Sequence, residues 1–201
     1  MITTNILENY FPYCTQQGAD SSMINRKRIN QLILQNPILN SSTITNIIQQ
    51  HLLFLQNGGA GGQWKTIHIK GIVIALYFGD EIKIGKQANF ELKQIPKTID
   101  LQNVILSFSN FCSSLINGVN FKNADLSYSV LTDVEGKKVN FSGTQLAYTD
   151  FTRANLEGAN FKNANLIGAD FENCNLTGAN FKGANLRQAR FPGAVLKDIQ
   201  I

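Results

Sequence analysis

The stretch ANLEGANFKNANLIGADFENCNLTGANFKG, residues 154–183, repeats its own pattern every five residues. The same frame runs through residues 99–201. Of the twenty-one positions taken in steps of five from Leu101, twenty are large and apolar, and only Gly136 departs. The residue two places earlier is mostly small or β-branched, as at Ala159 and Cys174. Helices repeat apolar residues near 3.6 and strands near 2, so a period of five fits neither. Strict internal repetition instead predicts the stacked coils of a solenoid.

The five-residue units ANLEG, ANFKN, ANLIG, ADFEN and ANFKG resemble those of the pentapeptide-repeat family. The resemblance covers residues 99–201 and implies a right-handed quadrilateral β-helix with four pentapeptides to a coil. At strand spacing, about five coils make a rod roughly 24 Å long. The expected fold is therefore mostly β, with this β-helix preceded by an N-terminal α+β capping region.

Sorting the residues by twenties supports such a coil independently, because like residues then stack. One column holds Leu throughout, and a column of outward side chains forms an amide ladder of Asn120, Asn140, Asn160, Asn180 and Gln200. Residues 134–138 lack a large inward side chain, which predicts a local bulge or a loosened corner near Gly136.

Residues 1–98 do not continue the repeat and are expected to form a cap or small domain over the open end of the β-helix. Apolar residues at helical spacing predict helices over about 22–35 and 42–56. Residues 65–70 and 72–79 read as strands, and 81–84 is a candidate for a third. The glycine-rich segment between the second helix and the strands predicts a flexible loop that contains Gly58, Gly59, Gly61 and Gly62, followed by Trp64.

Candidate catalytic and metal-binding residues are lacking. The glycine loop has neither a following Lys-Ser/Thr pair nor the spacing of a dinucleotide-binding motif, so a hinge is the favoured interpretation. His51 and His68 are the only histidines and have no partner in the sequence, and the three cysteines lack metal-site spacing. We therefore predict no enzyme, metal or cofactor.

Charge is unevenly divided along the chain. Residues 1–98 hold nine Lys/Arg and five Asp/Glu, whereas residues 99–201 hold nine of each. The family resemblance implies one sharp alternative function: a DNA mimic that binds a topoisomerase such as gyrase and protects it from quinolones or toxins. Such mimicry needs a long acidic rod, so the short, neutral repeat disfavours it. Lys122, Lys162 and Lys182 make a basic stripe with Ser142, but acids such as Asp125 and Asp170 keep the total neutral.

One outward column carries aromatic side chains in successive coils: Phe108, Tyr128 and Tyr148. Their stacking alone would stabilise the coils, and a contiguous exposed apolar strip also often marks a docking surface. We expect either the N-terminal region or a partner protein to lie on it. A second expected contact is a homodimer through the C-terminal coil, whose open end would expose Phe181, Leu186, Phe191, Leu196 and Ile201.

The sequence thus favours a non-enzymatic bacterial scaffold that binds an unidentified protein. A secreted bacterial effector is a further alternative, because delivery by a specialised secretion system needs no signal peptide. Residues 1–11 lack the features of a signal peptide, and the odd cysteine count suits a reducing compartment, so the expected location is cytoplasmic. The longest apolar stretch, 72–78, is too short to cross a bilayer, so no membrane contact is expected. Direct binding of nucleic acid is not expected either.

Overall fold

The computed structural model describes residues 38–59, 63–69, 72–78 and 84–201, with only the backbone described in 63–69 and 72–78. Within these residues lie helix α1 at Ser41–Phe54 and strands β1 at Gln63–Ile69 and β2 at Ile72–Phe78, ahead of a long run of stacked coils. The helix predicted over 22–35 and residues 81–83 of the third candidate strand lie outside the described residues.

Helix α1 forms where the sequence predicts a helix over 42–56. Asn40 caps its first turn, because the Asn40 side chain accepts a hydrogen bond from the Thr43 amide at 2.9 Å. The helix ends in a turn at Leu55–Gly59, in which Gly58 has a φ of 91°. Ile44, His51 and Phe54 are buried on one face of α1. The helix therefore presents an apolar face to the coils.

Strands β1 and β2 pair antiparallel, with Gln63 opposite Phe78 and Ile69 opposite Ile72. Both strands are rich in the β-branched and aromatic residues that favour extended backbone. The pairing joins two segments that the sequence predicts as strands over 65–70 and 72–79.

The coils are built from parallel bridges between residues twenty apart, repeated every five residues along the chain. Four such bridges complete one coil, so each coil has four walls. We name the walls in chain order by the residues of their bridge columns. The lysine wall contains Asn120, Asn140, Asn160 and Asn180, and the aromatic wall contains Asp125, Gln145, Asn165 and Asn185. The acidic wall contains Val130, Asp150, Asp170 and Arg190, and the fourth wall contains Glu135, Asn155, Asn175 and Val195. The lysine and acidic walls therefore lie on opposite sides of the rod.

Each corner between walls is a β-turn that needs a left-handed residue. In one of them, the Ala124 amide donates to the Phe121 carbonyl at 3.0 Å. The residue before Ala124, Asn123, has a φ of 57°. Gly and Asn adopt this conformation most readily, and they alternate at the same corner in later coils. The five-residue period therefore combines one inward apolar residue with one left-handed corner.

The interior of the rod is a continuous stack of aromatic rings. Phe161 lies 5.3 Å from Phe141 and 4.9 Å from Phe181 between ring centroids, in stacked geometry. It also contacts Phe151 and Phe171 edge-on at 5.9 Å and 5.7 Å. Both arrangements are favourable for aromatic pairs beyond the area that they bury. Each coil is thus tied to the coils before and after it.

The coils begin earlier than residue 99, where the sequence places the boundary. Asn89 bridges Asn110 and Gln94 bridges Leu115, each twenty-one residues on, whereas Asp100 bridges Asn120 at twenty. Six residues therefore separate the first-coil bridges at Gln94 and Asp100, where later coils have five. This one extra residue breaks the period, which is why residues 89–98 do not show the repeat in the sequence.

The bulge predicted near Gly136 is wrong. The Gly136 amide donates to the Asn155 carbonyl at 2.9 Å, and bridges continue through Glu135 in both directions. A methyl group on Gly136 would lie 3.1 Å from Leu156 and 3.3 Å from Ile116. The side chains of the neighbouring coils therefore fill the space that a large residue would occupy, and the wall stays regular.

Helix α1 is joined to the first coils by His51. The Ala88 amide donates to Nδ1 of His51 at 3.0 Å, which leaves the ring proton on Nε2 to be donated to the Ser107 carbonyl at 2.9 Å. Nearby, the Lys86 amide donates to the Gln50 carbonyl at 3.0 Å. A methyl group on Gly85 would overlap the Phe54 amide nitrogen, so the close approach of the chain to α1 requires glycine there.

Candidate docking surface

Phe108, Tyr128 and Tyr148, which we call the aromatic ladder, stack along the corner where the aromatic wall ends. The ring centroids are 5.0 Å apart for Phe108 and Tyr128 and 5.2 Å apart for Tyr128 and Tyr148, with nearly parallel planes. Tyr128 is 46% exposed and Tyr148 52% exposed. The ladder predicted from the sequence is therefore present, and its two tyrosines face solvent.

The backbone under the ladder is unfavourable for these residues. Phe108, Tyr128 and Tyr148 have φ values of 62°, 58° and 56°. A bulky side chain in this region is a conformational outlier that costs about 1–3 kcal/mol. Stacking returns about 0.5–1.5 kcal/mol per pair, which only offsets this cost. Other large residues adopt the same backbone at other corners: Leu92, Lys138 and Arg153. This corner is therefore distinguished by having aromatic side chains in three successive coils where Asn or Gly would suit the turn better.

Gly168 ends the ladder, because the Tyr148 ring lies over it. A methyl group on Gly168 would lie 2.6 Å from two carbons of that ring, and Gly168 has a φ of 65°. Gly178 has a φ of 70°, and a methyl group on Gly178 would meet no atom within 4 Å. The two glycines share a backbone conformation, but only Gly168 lies against an aromatic ring.

This pair allows a matched test of the ladder. We expect Gly168→Ala to lower the free energy of unfolding by roughly 1 kcal/mol more than Gly178→Ala, since both substitutions strain the backbone but only the first displaces a ring. Urea unfolding would measure the difference, and the ring-proton NMR shifts of Tyr148 should change only in Gly168→Ala. Equal losses of stability in the two variants would contradict the described packing.

The aromatic wall beside the ladder carries little charge. Among its outward residues in 99–201, Asp125 and Arg187 are the only ionisable side chains apart from the tyrosines. Ile105 is 48% exposed, and Ile167 is half-buried on the same wall. The wall therefore combines exposed aromatic edges with a sparsely charged, partly apolar face.

The first rung of the ladder is close to the N-terminal part of the chain. Gln87 donates a side-chain hydrogen bond to the Phe108 carbonyl at 2.6 Å, and His51 bonds to the neighbouring Ser107 carbonyl. Phe108 is half-buried, in contrast to the two tyrosines. Of the two occupants expected for the ladder, the N-terminal region thus contacts its first rung, and Tyr128 and Tyr148 stay exposed.

The predicted dimer end is only partly exposed. Leu196 is 42% exposed and Ile201 80% exposed, while Leu186 and Phe191 are half-buried. Phe181 was expected at the open end, but it is 2% exposed because the chain passes over it again and the Phe181 amide bonds to the Gln200 carbonyl at 2.7 Å. The homodimer stays a prediction.

The remaining candidates do not form a site. Gly58 and Gly59 lie in the turn after α1, Gly61 and Gly62 are outside the described residues, and Trp64 belongs to β1. Cys174 is buried, as its inward position predicts, and donates to the Phe151 carbonyl at 2.7 Å. In the described part of the chain, no group of His, Cys, Asp and Glu could hold a metal ion, and no helix is long and apolar enough to span a bilayer.

Sequence reasoning missed how the walls divide the charge. Asp170, taken as a neighbour that balances the basic stripe, lies on the acidic wall, across the rod from Lys122, Lys162 and Lys182. Asp125 lies on the adjacent aromatic wall. Assigning each charged residue to its position in the twenty-residue coil would have revealed this separation, but counting charges over the whole repeat concealed it.

The repeat also matches a known family. The model for pentapeptide repeats matches residues 99–133, 140–178 and 159–198, with eight copies. Residues 99–198 belong to the pentapeptide-repeat family. Its members form right-handed quadrilateral β-helices, in agreement with the four-walled coils described above. Pentapeptide-repeat proteins are generally structural or interaction proteins rather than enzymes.

Solved structures similar to this chain include other pentapeptide-repeat proteins. Rfr23 from the cyanobacterium Cyanothece 51142 is 36% identical, with 48% of this chain and 63% of Rfr23 covered and a TM-score of 0.40. A protein of the Arabidopsis thaliana thylakoid lumen is 32% identical, with 44% and 68% covered and a TM-score of 0.31. QnrB1, a plasmid-mediated fluoroquinolone resistance protein, is 18% identical, with 55% and 65% covered and a TM-score of 0.46. The match thus spans less than two thirds of Rfr23 and QnrB1. No curated protein matched the chain.

Proposed function

We propose that this protein is a non-enzymatic scaffold that binds another protein through the aromatic wall. The observation that carries the proposal is the exposure of Tyr128 and Tyr148 at strained corners of a stacked ladder. Tyrosine is enriched at protein interfaces because its ring buries a large area while its hydroxyl can still hydrogen-bond. A sparsely charged wall loses little solvation free energy when a partner covers it.

The size of the wall limits what can dock there. Five coils at strand spacing span roughly 24 Å along the rod. A wall of a few residues' width then offers less than the ~800 Å² per partner that a stable interface usually buries. We therefore expect either a narrow partner segment or a larger partner that also contacts α1 and the first coil. We propose that α1 and the first coil cap this end of the rod.

A selection with a peptide display library would test the proposal. The full chain is immobilised, and selected clones are measured against Tyr128→Asn/Tyr148→Asn, because asparagine tolerates the left-handed backbone at both corners. We expect this variant to lose roughly tenfold or more in affinity, as is usual when interface hot spots are removed.

The control variant is Asn173→Gly/Asp198→Asn, which alters two left-handed corners that border the fourth wall and not the aromatic wall. It should bind the selected clones as the unmodified chain does. Failure to select any clone, or equal binding to the tyrosine variant, would contradict docking on the aromatic wall.

The distribution of charge over the four walls argues against topoisomerase mimicry. A mimic must present a phosphate-like field, whereas one wall of this rod carries Lys122, Lys162 and Lys182 and the repeat is neutral overall. We expect no inhibition of DNA supercoiling by purified gyrase, even at a large molar excess of this protein, and no rescue of gyrase from a quinolone. Potent inhibition in that assay would overturn the charge argument.

A further inference from the structure

We propose that the lysine wall is a second interaction surface, which binds a short acidic segment of a protein. The wall and its corner with the fourth wall consist, over four successive coils, of segments 118–123, 138–143, 158–163 and 178–183. These segments contain four lysines and no Asp or Glu: Lys122, Lys138, Lys162 and Lys182. One acid stands at each end of them, Asp100 in the coil before and Asp198 in the coil after. The inference concerns a different wall from the aromatic ladder and does not depend on the function proposed above.

The three lysines on the flat of the wall are available to a partner. Lys122, Lys162 and Lys182 are exposed, and within the described residues none of them forms an ion pair. By contrast, Lys137 on the fourth wall forms an ion pair with Glu157 at 2.7 Å. The wall's charge is therefore not neutralised locally.

The surface beneath these lysines is flat and rigid. The Asn140 side chain donates to Asn120 at 2.8 Å, and Asn160 donates to Asn140 at 3.1 Å, so the amide ladder links the coils. The same oxygens accept backbone hydrogen bonds, as when the Lys122 amide donates to Asn120 at 3.2 Å. The lysines thus project from a regular backbone, about 4.8 Å apart where they occupy neighbouring coils. An extended acidic segment along the rod could reach all three.

The acidic wall, on the opposite side of the rod, carries negative charge. The acidic wall carries Asp133, Asp150, Asp170 and Glu172. Its two arginines are paired there: Arg153 with Asp133 at 2.6 Å and Arg190 with Asp170 at 3.0 Å. The repeat is therefore neutral in sum but polarised across its width.

This polarity favours a short acidic peptide over a long polyanion. Charges beyond about 8 Å are largely screened at physiological salt, so a short segment on the lysine wall experiences mainly that wall. Duplex DNA gains affinity by neutralising many phosphates at once, and three or four lysines backed by an acidic wall offer few such contacts. Anionic membranes are bound by clusters of four to eight basic residues, and the four lysines here reach only the lower end of that range.

Fluorescence anisotropy with a short dye-labelled peptide of alternating Glu and Ser tests the proposal on the full chain. We expect binding at low ionic strength that weakens as salt is added. Lys122→Gln/Lys162→Gln/Lys182→Gln should bind roughly tenfold more weakly, in line with the combined contribution of three exposed ion pairs. The Tyr128→Asn/Tyr148→Asn variant should bind this peptide as the unmodified chain does.

The matched control is Lys137→Gln/Arg187→Gln/Lys197→Gln, which removes the same charge from the fourth and aromatic walls and should change affinity less than the lysine-wall variant. Far-UV circular dichroism would check that both variants are folded. The proposal is overturned if the two triple variants weaken binding equally, or if no peptide binding is detected. It is also overturned if duplex DNA or phosphatidylserine vesicles bind more tightly than the peptide with the same dependence on the lysines.

Discussion

Phe161→Ala should lower the free energy of unfolding by about 3–5 kcal/mol, the usual cost of truncating a fully buried phenylalanine. Phe161 is completely buried and contacts four other phenylalanine rings. Truncation removes the contacts that tie one coil to the coils on either side. Because coils interact only with their nearest neighbours, the transition should also become less cooperative. Urea unfolding, followed by circular dichroism, measures both effects.

Two further substitutions serve as controls. Phe161→Leu should cost less than about 1.5 kcal/mol, because leucine fills most of the volume and already occupies this column at Leu101. Phe191→Ala should cost less than Phe161→Ala, since Phe191 is half-buried in the last coil. If all three variants lost the same stability, the stacked rings would not be what holds the coils together.

The second large effect is expected at His51. Burial lowers the pKa of His51 from 6.5 to about 4, a shift that its bond to the Ser107 carbonyl only partly opposes. Protonation would place a second ring N–H against the Ala88 amide, which is itself a donor. The folded protein therefore holds the neutral ring at a pH where the unfolded chain binds a proton.

The sign of the pH dependence follows from this difference. Between about pH 6.5 and pH 4 the unfolded state binds more protons at His51, so stability falls as the pH is lowered through that window. The loss from this residue should approach about 3 kcal/mol near pH 4 and be absent above pH 7. Hydrogen exchange at the Ala88 amide reports the junction directly, and its protection should decrease over the same range.

His51→Phe separates the two roles of the residue. The substitution leaves the Ala88 amide and the Ser107 carbonyl without their partner, which should cost about 2–6 kcal/mol at neutral pH. It also removes the titrating group, so the decline between pH 6.5 and pH 4 should be weaker than in the unmodified chain. An unchanged pH profile in His51→Phe would assign the acid sensitivity to another group.

Much of the fold could be predicted from the repeat because its information is local. Each pentapeptide carries its own inward residue and its own corner. The positions of Tyr128 and Tyr148 in one column followed from a spacing of twenty, and the interior stacking of Phe141 and Phe161 followed in the same way. Apolar residues at helical spacing likewise sufficed to predict α1, whereas its cap at Asn40 was found only in the structure.

Other features depended on contacts that no local pattern encodes. The early start of the coils was hidden by one extra residue between Gln94 and Asp100, which shifts the frame although the pairing continues. Gly136 looked like a defect, but its neighbours one coil away fill the space. Phe181 looked exposed, but the next wall covers it.

By itself, the sequence determined the five-residue period, the identity of the inward and outward columns, and the neutrality of the repeat. Only the tertiary structure decided that His51 joins α1 to the first coil, and that the coils begin before residue 99. The physical reason is that periodicity fixes which residues share a column. The docking of a helix and a one-residue offset between coils depend on contacts between segments that are far apart in the sequence.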